Sequence, residues 1–419
     1  MKESQRNILD LIIEEPVEIG KRLGFNDLTE IHNKWLKMML FGTEDTTLLA
    51  HRGSYKTTCL SIAIALIMIV FPNITIIFLR KTDTDVKEVI KQVSKILQTP
   101  LFKWMVNELY GVELTLLEDT TQAITTNLMT SNKGASQLLG LGIGTSITGK
   151  HSDLVITDDI VNVKDRMSKA ERDKTSASYM ELQNIRNRDG RLFNTGTPWH
   201  KEDCIEKWMP NKHVFDCYST GLIDRKKLEE IRNSMTPSLF SANYELKHIA
   251  DEEALFSNPQ FTDKNELIYN GICHIDASYG GGDGTAFTIA KQLSDGKLIM
   301  YGKRWNKHVD DCLDEIIKLK KKYRAGSISC EKNADKGYLE KELKKLGEIT
   351  DGYFESTNKF IKISTYLRKY WNDITWLEDT DPSYMVEILD YTEQAEHDDS
   401  ADSASCLVRK LKGKRKWVY

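Results

Sequence analysis

Residues 47–58, TLLAHRGSYKTT, combine a short apolar strand, a polar loop and the first turn of a helix. The apolar run 60–71 continues that helix, and its twelve residues predict a buried helix because roughly 20 are needed to span a bilayer. Backbone N–H groups in such a loop, with the N-terminus of the following helix, can surround a phosphate group. Lys56 is spaced to reach terminal phosphates and Thr57 to bind Mg²⁺. The stretch therefore predicts a phosphate-binding loop, with an ordinary strand-to-helix turn as the alternative.

The loop departs from the common GxxxxGK[ST] pattern at two positions. Ala50 stands at the first glycine position and Tyr55 stands directly before the lysine, so Gly53 is the only glycine in the loop. A residue with a side chain does not freely adopt a positive φ, so we expect the backbone at Tyr55 to be restricted. This irregularity keeps open a non-enzymatic scaffold that binds ATP without hydrolysing it.

A second apolar strand ends in two acids, in residues 154–159, LVITDD. In nucleotide hydrolases one acid at such a strand end binds Mg²⁺ and its neighbour polarises the attacking water. We therefore predict that Asp158 is a metal ligand and Asp159 the base, although an acidic pair at a strand end is also a common surface feature. Residues 195–197, TGT, end a later strand, and are either a sensor of phosphate release or a polar turn.

The wider pattern predicts two domains, because 419 residues are too many for one compact core. Residues 1–45 are helical in pattern, and alternating strands and helices then predict an α/β domain with a mostly parallel sheet and helices on both faces. We place the first domain at 1–245, a linker at 246–261, and a second, strand-rich domain at 262–419.

The second domain carries dispersed carboxylates. Asp276 is predicted in the middle of a strand (273–277, CHIDA), where an unpaired Asp is disfavoured. Glu331 follows the predicted strand 327–330, and the run 397–402, HDDSAD, opens the last helix. Carboxylate oxygens suit hard cations, and a site for two Mg²⁺ or Mn²⁺ that cuts nucleic acid needs several of them. These acids therefore predict a metal-dependent nuclease.

Each acid has an ordinary alternative. Asp398 and Asp399 each share a helix face with Asp402, yet acids also suit a helix N-terminus. Glu331 could be a solvated strand end, and Asp283 is a turn residue or an auxiliary acid. A strand Asp, a strand-end Glu and a helix Asp follow one another along the chain, and this order favours a metal-binding nuclease site over the ordinary alternatives.

Composition restricts the class of protein. The net charge of −4 conceals basic clusters at 318–322 and 409–416, which are either DNA-steering patches or solvated surfaces. Seven cysteines without a Cys-x-x-Cys pair favour reduced thiols, and the N-terminus lacks the features of a signal peptide. We expect a cytoplasmic protein that does not associate with a membrane.

Six motifs, taken in order, resemble the large terminase subunit of tailed double-stranded DNA bacteriophages, and the resemblance covers nearly the whole length. The motifs are AHRGSYKTT (50–58), GKHSDLVITDD (149–159), NTGTPWH (194–200), HIDASYGGGDGTA (274–286), CEKNADKG (330–337) and HDDSADSA (397–404). The resemblance implies a P-loop ATPase domain followed by an RNase H-like nuclease domain.

For the first domain, the resemblance implies that Arg52 senses the γ-phosphate or assists hydrolysis and that Asp159 is the base. His32, near Trp35, falls where the family has an adenine-contacting segment; a core Trp with a surface His is the alternative. The residues implied in binding ATP and its Mg²⁺ are Arg52, Gly53, Ser54, Tyr55, Lys56, Thr57, Thr58, Asp158, Thr197 and His32, with Thr57 and Asp158 on the metal.

For the second domain, the resemblance implies Asp276, Glu331 and Asp399 as catalytic metal ligands for two Mg²⁺ or Mn²⁺, with His397, Asp398 and Asp402 close by. Some terminases supply an arginine to a neighbouring subunit's ATP site. Here the matching place carries Lys150, and Arg186 and Arg188 are the other candidates.

The implied activity is ATP-driven translocation of double-stranded DNA into a procapsid, with cleavage of concatemeric DNA at the start and end of packaging. The implied partners are double-stranded DNA, a portal protein and a small terminase subunit. Subunits monomeric in solution would form a ring on the portal, in the host bacterial cytoplasm and transiently docked on the viral procapsid. A helicase-like repair ATPase with an attached nuclease is the alternative enzyme.

Overall fold

The computed structural model describes residues 2–132, 134–147, 149–235, 237–248, 255–280, 284–333, 335–392 and 397–413. Asp283 and residues 414–416 of the second basic cluster lie outside this part of the chain. The internal contacts divide the chain into two compact units, which are residues 1–166, 170–231 and 240–249, and residues 167–169, 232–239 and 250–419.

Three helices begin the chain, and strands and helices follow in mixed order up to residue 245. They are α1 (Glu3–Glu14), α2 (Pro16–Arg22), α3 (Glu30–Phe41), β1 (Thr46–Ala50), α4 (Lys56–Val70), β2 (Ile76–Arg80), α5 (Asp83–Leu97), α6 (Pro100–Tyr110), β3 (Leu116–Asp119), β4 (Ala123–Thr126), β5 (Leu138–Gly142), β6 (Ser152–Asp158), α7 (Val163–Met167), α8 (Lys169–Ile185), β7 (Arg186–Gly196), α9 (Cys204–Trp208), β8 (Lys212–Phe215), α10 (Cys217–Thr220), α11 (Arg225–Asn233), α12 (Pro237–Phe240) and a π-helical turn (Ser241–Glu245).

The first unit contains one eight-stranded sheet in the order β3-β4-β5-β2-β6-β7-β1-β8. In the described part of this sheet the pairs β3–β4 and β4–β5 are antiparallel and the other pairs are parallel, so the mostly parallel sheet predicted from the alternation is confirmed. Strand β7 lies between β1 and β6. Because the carboxyl ends of parallel strands meet at one edge, this order places the loop after β1 near the acids that end β6.

Helix α4 is buried over most of its length, since each residue from Cys59 to Ile69 is shielded from solvent. It packs in one apolar core with residues of α3, α5 and β6. The buried helix predicted from the run 60–71 is therefore confirmed, and no described helix is both long and apolar enough to cross a membrane.

The elements after residue 259 are β9 (Gln260–Thr262), β10 (Ile272–Asp276), β11 (Thr285–Gln292), β12 (Leu298–Trp305), α13 (Leu313–Lys322), β13 (Ile328–Glu331), α14 (Tyr338–Lys345), β14 (Thr350–Tyr353), α15 (Lys359–Lys362), β15 (Ile374–Leu377), α16 (Pro382–Leu389) and α17 (Asp399–Lys412). Short 3₁₀ turns occupy Asn265–Ile268, Val309–Cys312 and Trp371–Asp373, and a π-helical segment, Ile363–Arg368, follows α15.

The second unit contains a seven-stranded sheet in the order β14-β13-β10-β11-β12-β15-β9. Strands β10, β11 and β12 form an antiparallel meander, and β13 and β14 continue the sheet parallel to β10. This is the strand arrangement of an RNase H-like domain, as predicted. Two separate apolar clusters include residues of the meander, one with α16 and α17 and the other with α13 and α14.

Two local predictions need correction. Asp276 is the last residue of β10 rather than a mid-strand residue, because pairing with β11 ends at Asp276 and pairing with β13 ends at Ile275. The sequence pattern of residues 309–323 predicts a single helix, whereas the structure divides this stretch into the 3₁₀ turn Val309–Cys312 and α13.

Candidate functional sites

In the first unit the loop after β1 meets the end of β6. Thr57 Oγ1 donates a hydrogen bond to Asp158 Oδ2 at 3.2 Å. Lys56 Nζ lies 3.0 Å from Asp159 Oδ1. The four residues come from segments about a hundred positions apart, and the parallel sheet brings them together.

Arg80, which the sequence reasoning missed, completes this cluster. It ends β2, the strand next to β6, and its Nε lies 3.1 Å from Asp158 Oδ2 while its Nη2 lies 3.7 Å from Asp159 Oδ2. The register Leu79–Thr157 places Arg80 one residue beyond a paired position, level with Asp158. A basic residue at the end of an apolar strand was the available signal, but it required knowing that β2 and β6 are neighbours.

Asp158 is fully buried, and Thr195 Oγ1 donates to its Oδ1 at 2.5 Å. Burial raises the pKa of Asp158 and the charge of Asp159 raises it further, whereas Lys56 and Arg80 lower it. The buried carboxylate of Asp158 and the partly exposed one of Asp159 are therefore stabilised by two cations of the same chain.

The loop itself is bent through two left-handed residues, Gly53 with φ +78° and Tyr55 with φ +60°. Tyr55 thus adopts the conformation that its side chain disfavours, at a cost of roughly 1–2 kcal/mol. Ser54 lies between them, and its Oγ is buried without a hydrogen-bond partner. An orphaned hydroxyl in a loop that leads into a helix N-terminus fits a phosphate oxygen as its missing partner.

The other residues predicted around the loop lie in different surroundings. The Arg52 side chain is exposed, and its backbone N–H donates to Asn243 O at 2.7 Å. Gly53 is exposed, Thr58 lies in the first turn of α4, and Thr197 is buried just after β7.

His32 is buried, so the alternative of a surface histidine is wrong, while Trp35 is a core residue as that alternative had it. His32 Nδ1 accepts the Thr29 N–H at 2.8 Å, and Nε2 lies 3.0 Å from Ser54 O. Both ring nitrogens therefore contact backbone groups.

The candidates for a trans-acting cation differ in availability. Arg186 Nη1 lies 2.6 Å from Asp45 Oδ2 within the same chain. Arg188 is exposed, and Lys150 is half-buried. The intrachain partner of Arg186 makes it the weakest of the three candidates.

In the second unit Asp276 and Glu331 end neighbouring parallel strands at the same level, one residue beyond the pair Ile275–Cys330. Burial raises the pKa of Asp276 well above its usual range, and the charges of Asp402 and Asp399 raise it further. Asp276 Oδ2 is buried and has no hydrogen-bond partner. Burial also raises the pKa of Glu331, with Lys362 acting in the opposite direction.

Helix α17 brings the remaining acids to this place. Asp399 is its first residue, and Asp399 Oδ2 accepts the Gly284 N–H at 2.9 Å. Asp402 lies one turn later and is buried. The Ser400 N–H donates to Glu387 Oε1 at 2.7 Å, so a second buried carboxylate supports the helix N-terminus.

Two lysines that the sequence reasoning missed stand among these acids. Lys362 is fully buried, and its Nζ lies 2.6 Å from Asp402 Oδ1 and 3.3 Å from Glu355 Oε2. Lys359 Nζ lies 2.8 Å from Asp398 Oδ1. Burial acts to lower the pKa of both lysines, but the surrounding acids, with Cys406 beside Lys362, outweigh it, and both pKa values are raised.

Among the described residues, no three His, Cys, Asp or Glu side chains converge in the geometry of a metal site. Asp398 and Asp402 instead bind ammonium groups, and Asp399 binds a backbone N–H. The donor set is nonetheless all oxygen, as hard cations require. The orphaned Asp276 Oδ2 has the free lone pairs that such a cation would use.

Five basic residues in the described parts of the two basic clusters form ion pairs within the chain. Arg409 pairs with Glu355 at 2.7 Å, Lys410 with Asp351 at 2.6 Å and Lys412 with Asp373 at 3.5 Å. Lys320 and Lys322 pair with Glu348 and Asp379. These contacts favour the alternative of solvated, paired surfaces over a DNA-steering patch.

Fold and site geometry together define a class: a two-unit α/β protein with a phosphate-loop unit followed by an RNase H-like unit. Solved structures similar to the chain include the large terminase of a thermophilic bacteriophage, with 11% identity, a TM-score of 0.40, and coverage of 92% of this chain and 99% of that one. The bacteriophage HK97 large terminase shares 12% identity with a TM-score of 0.38, covering 86% and 88%.

A large terminase nuclease from the thermophilic phage G20c, with bound zinc, shares 15% identity over 36% of this chain and 85% of its own, with a TM-score of 0.27. The sequence matches no family model and no curated protein. Likeness at these identities and TM-scores carries no activity to this chain, so its function is argued from its own residues.

Proposed function

We propose that this chain is a DNA-packaging terminase subunit that hydrolyses ATP in its first unit and cuts double-stranded DNA in its second. The observation that supports it best is the meeting of Lys56 and Thr57 with Asp158 and Asp159 at one sheet edge. The same chain carries an RNase H-like sheet whose edge presents Asp276 and Glu331 side by side.

At the first site, the loop N–H groups and the N-terminus of α4 bind the phosphates of ATP. Lys56 exchanges Asp159 for phosphate oxygens, which frees that carboxylate to accept a proton from the attacking water. Thr57 and Asp158 hold Mg²⁺, which neutralises the developing phosphate charge when bound. The exposed Arg52 side chain reaches the γ-phosphate from the solvent side.

At the second site, Asp276, Glu331 and Asp399, with Asp398 and Asp402, would hold two Mg²⁺ or Mn²⁺. When bound, these ions would supply an activated water and charge neutralisation for phosphodiester hydrolysis. Lys362 holds Asp402 in place through its buried ion pair. Asp399 keeps its orientation through the Gly284 N–H.

The remaining assignments belong to the same proposal. The subunit would form a ring on a portal protein, work with a small terminase subunit that selects the cutting site, and act in the host cytoplasm while docked on a procapsid. An exposed cation such as Arg188 would complete a neighbouring subunit's ATP site.

The test separates the two activities with two variants of the full chain. Lys56→Ala should abolish ATP hydrolysis, because it removes the lysine proposed to bind the phosphates. It should keep Mn²⁺-dependent plasmid cutting, because the residues proposed for cutting lie in the second unit. Asp276→Ala should do the reverse. The exposed residues Lys226 and Asp263 provide matched controls, Lys226→Ala and Asp263→Ala, which should change neither activity.

Plasmid cutting that survives Asp276→Ala would show that the second site is misplaced. ATP-dependent unwinding of duplex DNA without any portal would favour the helicase-like repair enzyme. Nucleotide binding without turnover in the unmodified protein would favour the scaffold.

A further inference from the structure

Asp27, ahead of α3, and His32, in the first turn of α3, contact the phosphate loop at two consecutive residues. His32 Nε2 lies 3.0 Å from Ser54 O, and the Tyr55 hydroxyl donates to Asp27 Oδ2 at 2.8 Å. The His32 and Tyr55 rings also meet edge to face, with centroids 6.2 Å apart. The two loop residues held by these contacts, Ser54 and Tyr55, directly precede Lys56 in the sequence.

The hydrogen bonds of His32 define its tautomer. Nδ1 accepts the Thr29 N–H at 2.8 Å, so in the neutral ring Nδ1 carries no proton. The proton is therefore on Nε2, which donates to Ser54 O. Burial lowers the pKa of His32, which keeps the ring neutral near pH 7.

This donor decides which way one peptide plane faces. In a trans peptide the C=O and the following N–H point in opposite directions. Because Ser54 O is held toward His32, the Tyr55 N–H points away from His32. The same bond opposes rotation of the plane that would return Tyr55 from its left-handed φ of +60°.

We propose that His32 is a positioning residue of the ATP site that acts through Ser54 O and does not contact the nucleotide. His32 stabilises the left-handed conformation of Tyr55, the residue before Lys56. A glycine at that position would adopt the same conformation without a side-chain cost. This inference rests on the proposed ATPase function of the first unit.

A direct contact between His32 and the adenine ring disagrees with the geometry. The side chain is fully buried, and each ring nitrogen already has a backbone partner. An adenine contact would have to break one of these bonds. A contact made through the loop breaks neither, and it affects every ligand that the loop binds through phosphate.

The first experiment compares a phosphate ligand that carries a nucleobase with one that carries none. Affinities of Mg·ATP and of inorganic tripolyphosphate are measured on the full chain and on His32→Ala. We expect both to weaken by about tenfold, the usual effect of losing one hydrogen bond of this kind. A loss confined to ATP would show that His32 contacts the base and would overturn the proposal.

The second experiment tests coupling between His32 and Tyr55. In a Tyr55→Gly background the left-handed conformation has no side-chain cost, so His32→Ala should weaken tripolyphosphate binding by less than about threefold. An undiminished tenfold loss would overturn the proposal. Tyr55→Phe is the control, because it removes only the Asp27 hydrogen bond and keeps the side-chain cost.

Folding is followed by thermal unfolding of each variant. If His32→Ala is not folded, His32→Gln replaces it, since its amide N–H can donate to Ser54 O. Near-normal tripolyphosphate binding by His32→Gln supports positioning, and His32→Leu of similar size should not rescue it. Rescue by His32→Leu would overturn the proposal.

The outcomes separate this inference from the function on which it rests. If the unmodified chain binds neither ATP nor tripolyphosphate, the proposed ATPase function fails and the inference fails with it. If the unmodified chain binds both and His32→Ala binds them equally well, only the inference fails.

Discussion

The two candidate sites balance the charge of their carboxylates differently. In the first unit, Asp158 and Asp159 face two cations, Lys56 and Arg80. In the second unit the lysines Lys359 and Lys362 stand among a larger set of acids, which are Asp276, Glu331, Asp398, Asp399 and Asp402.

The difference bears on what each site binds. The two acids and two cations of the first site cancel in charge, so this site has little attraction for a divalent cation alone. We expect it to bind such a cation together with the phosphates of a nucleotide. The second site carries excess negative charge, and the raised pKa values of Asp276, Glu331 and Asp402 reflect both this excess and their burial. We therefore expect the second site to attract metal ions without a further ligand.

The largest expected effect comes from removing the buried cation of the second site. Lys362→Met leaves Asp402 and Glu355 without their shared ammonium group, and loss of one partner from a buried ion pair costs about 3–5 kcal/mol of unfolding free energy. Urea unfolding measures it. Lys359→Met is the control, because Lys359 is half exposed and should cost less than about 1 kcal/mol. Equal losses in the two variants would contradict the buried pairing.

A smaller effect should come from adding a metal ion without nucleotide, which we expect to stabilise the second site but not the first. Mn²⁺ without nucleotide should raise the unfolding free energy by about 2.7 kcal/mol at a hundredfold excess over its Kd. Asp276→Asn should abolish this increase and Asp158→Asn should keep it, because the charge excess belongs to the second site. An increase lost in Asp158→Asn and kept in Asp276→Asn would reverse the comparison.

The smallest expected effect concerns the cation that the first site shares between its acids. Arg80→Met should lower the unfolding free energy by about 1.5 kcal/mol, the contribution of a hydrogen bond to a charged group, because Lys56 still faces Asp159. Arg80→Lys should recover part of the loss. Saturating Mg·ATP should reduce the deficit, since a divalent ion replaces the lost charge beside Asp158. A deficit larger than that of Lys362→Met would show that the first site is not balanced as described.

Local patterns were sufficient to place the loop of Lys56, the acids that end β6 and the acids of α17, because each lies within one short segment. The parallel sheet of the first unit and the RNase H-like order of the second also followed from alternation and motif order. Whether these residues carry the proposed chemistry stays a prediction.

What the sequence could not supply depends on contacts between distant segments. Arg80 meets Asp158 only because β2 and β6 pair, and Lys362 meets Asp402 only because α15 reaches the start of α17. His32 gave no signal that it supports Ser54, since the bond joins residues 22 positions apart. Asp276 was placed mid-strand because its apolar neighbours extend the strand pattern beyond the last paired residue.

Strand β7 gives the first unit a mechanical connection. Its next-to-last residue, Thr195, bonds Asp158, and its first residue, Arg186, bonds Asp45 just ahead of β1. Residues 193–195 pair with both β1 and β6, and this two-sided pairing resists bending or stretching of that part of the strand. A displacement of Thr195 during the proposed hydrolysis would therefore reach Asp45, just ahead of β1, through Leu192, whose N–H donates to Asp45 Oδ1 at 2.8 Å.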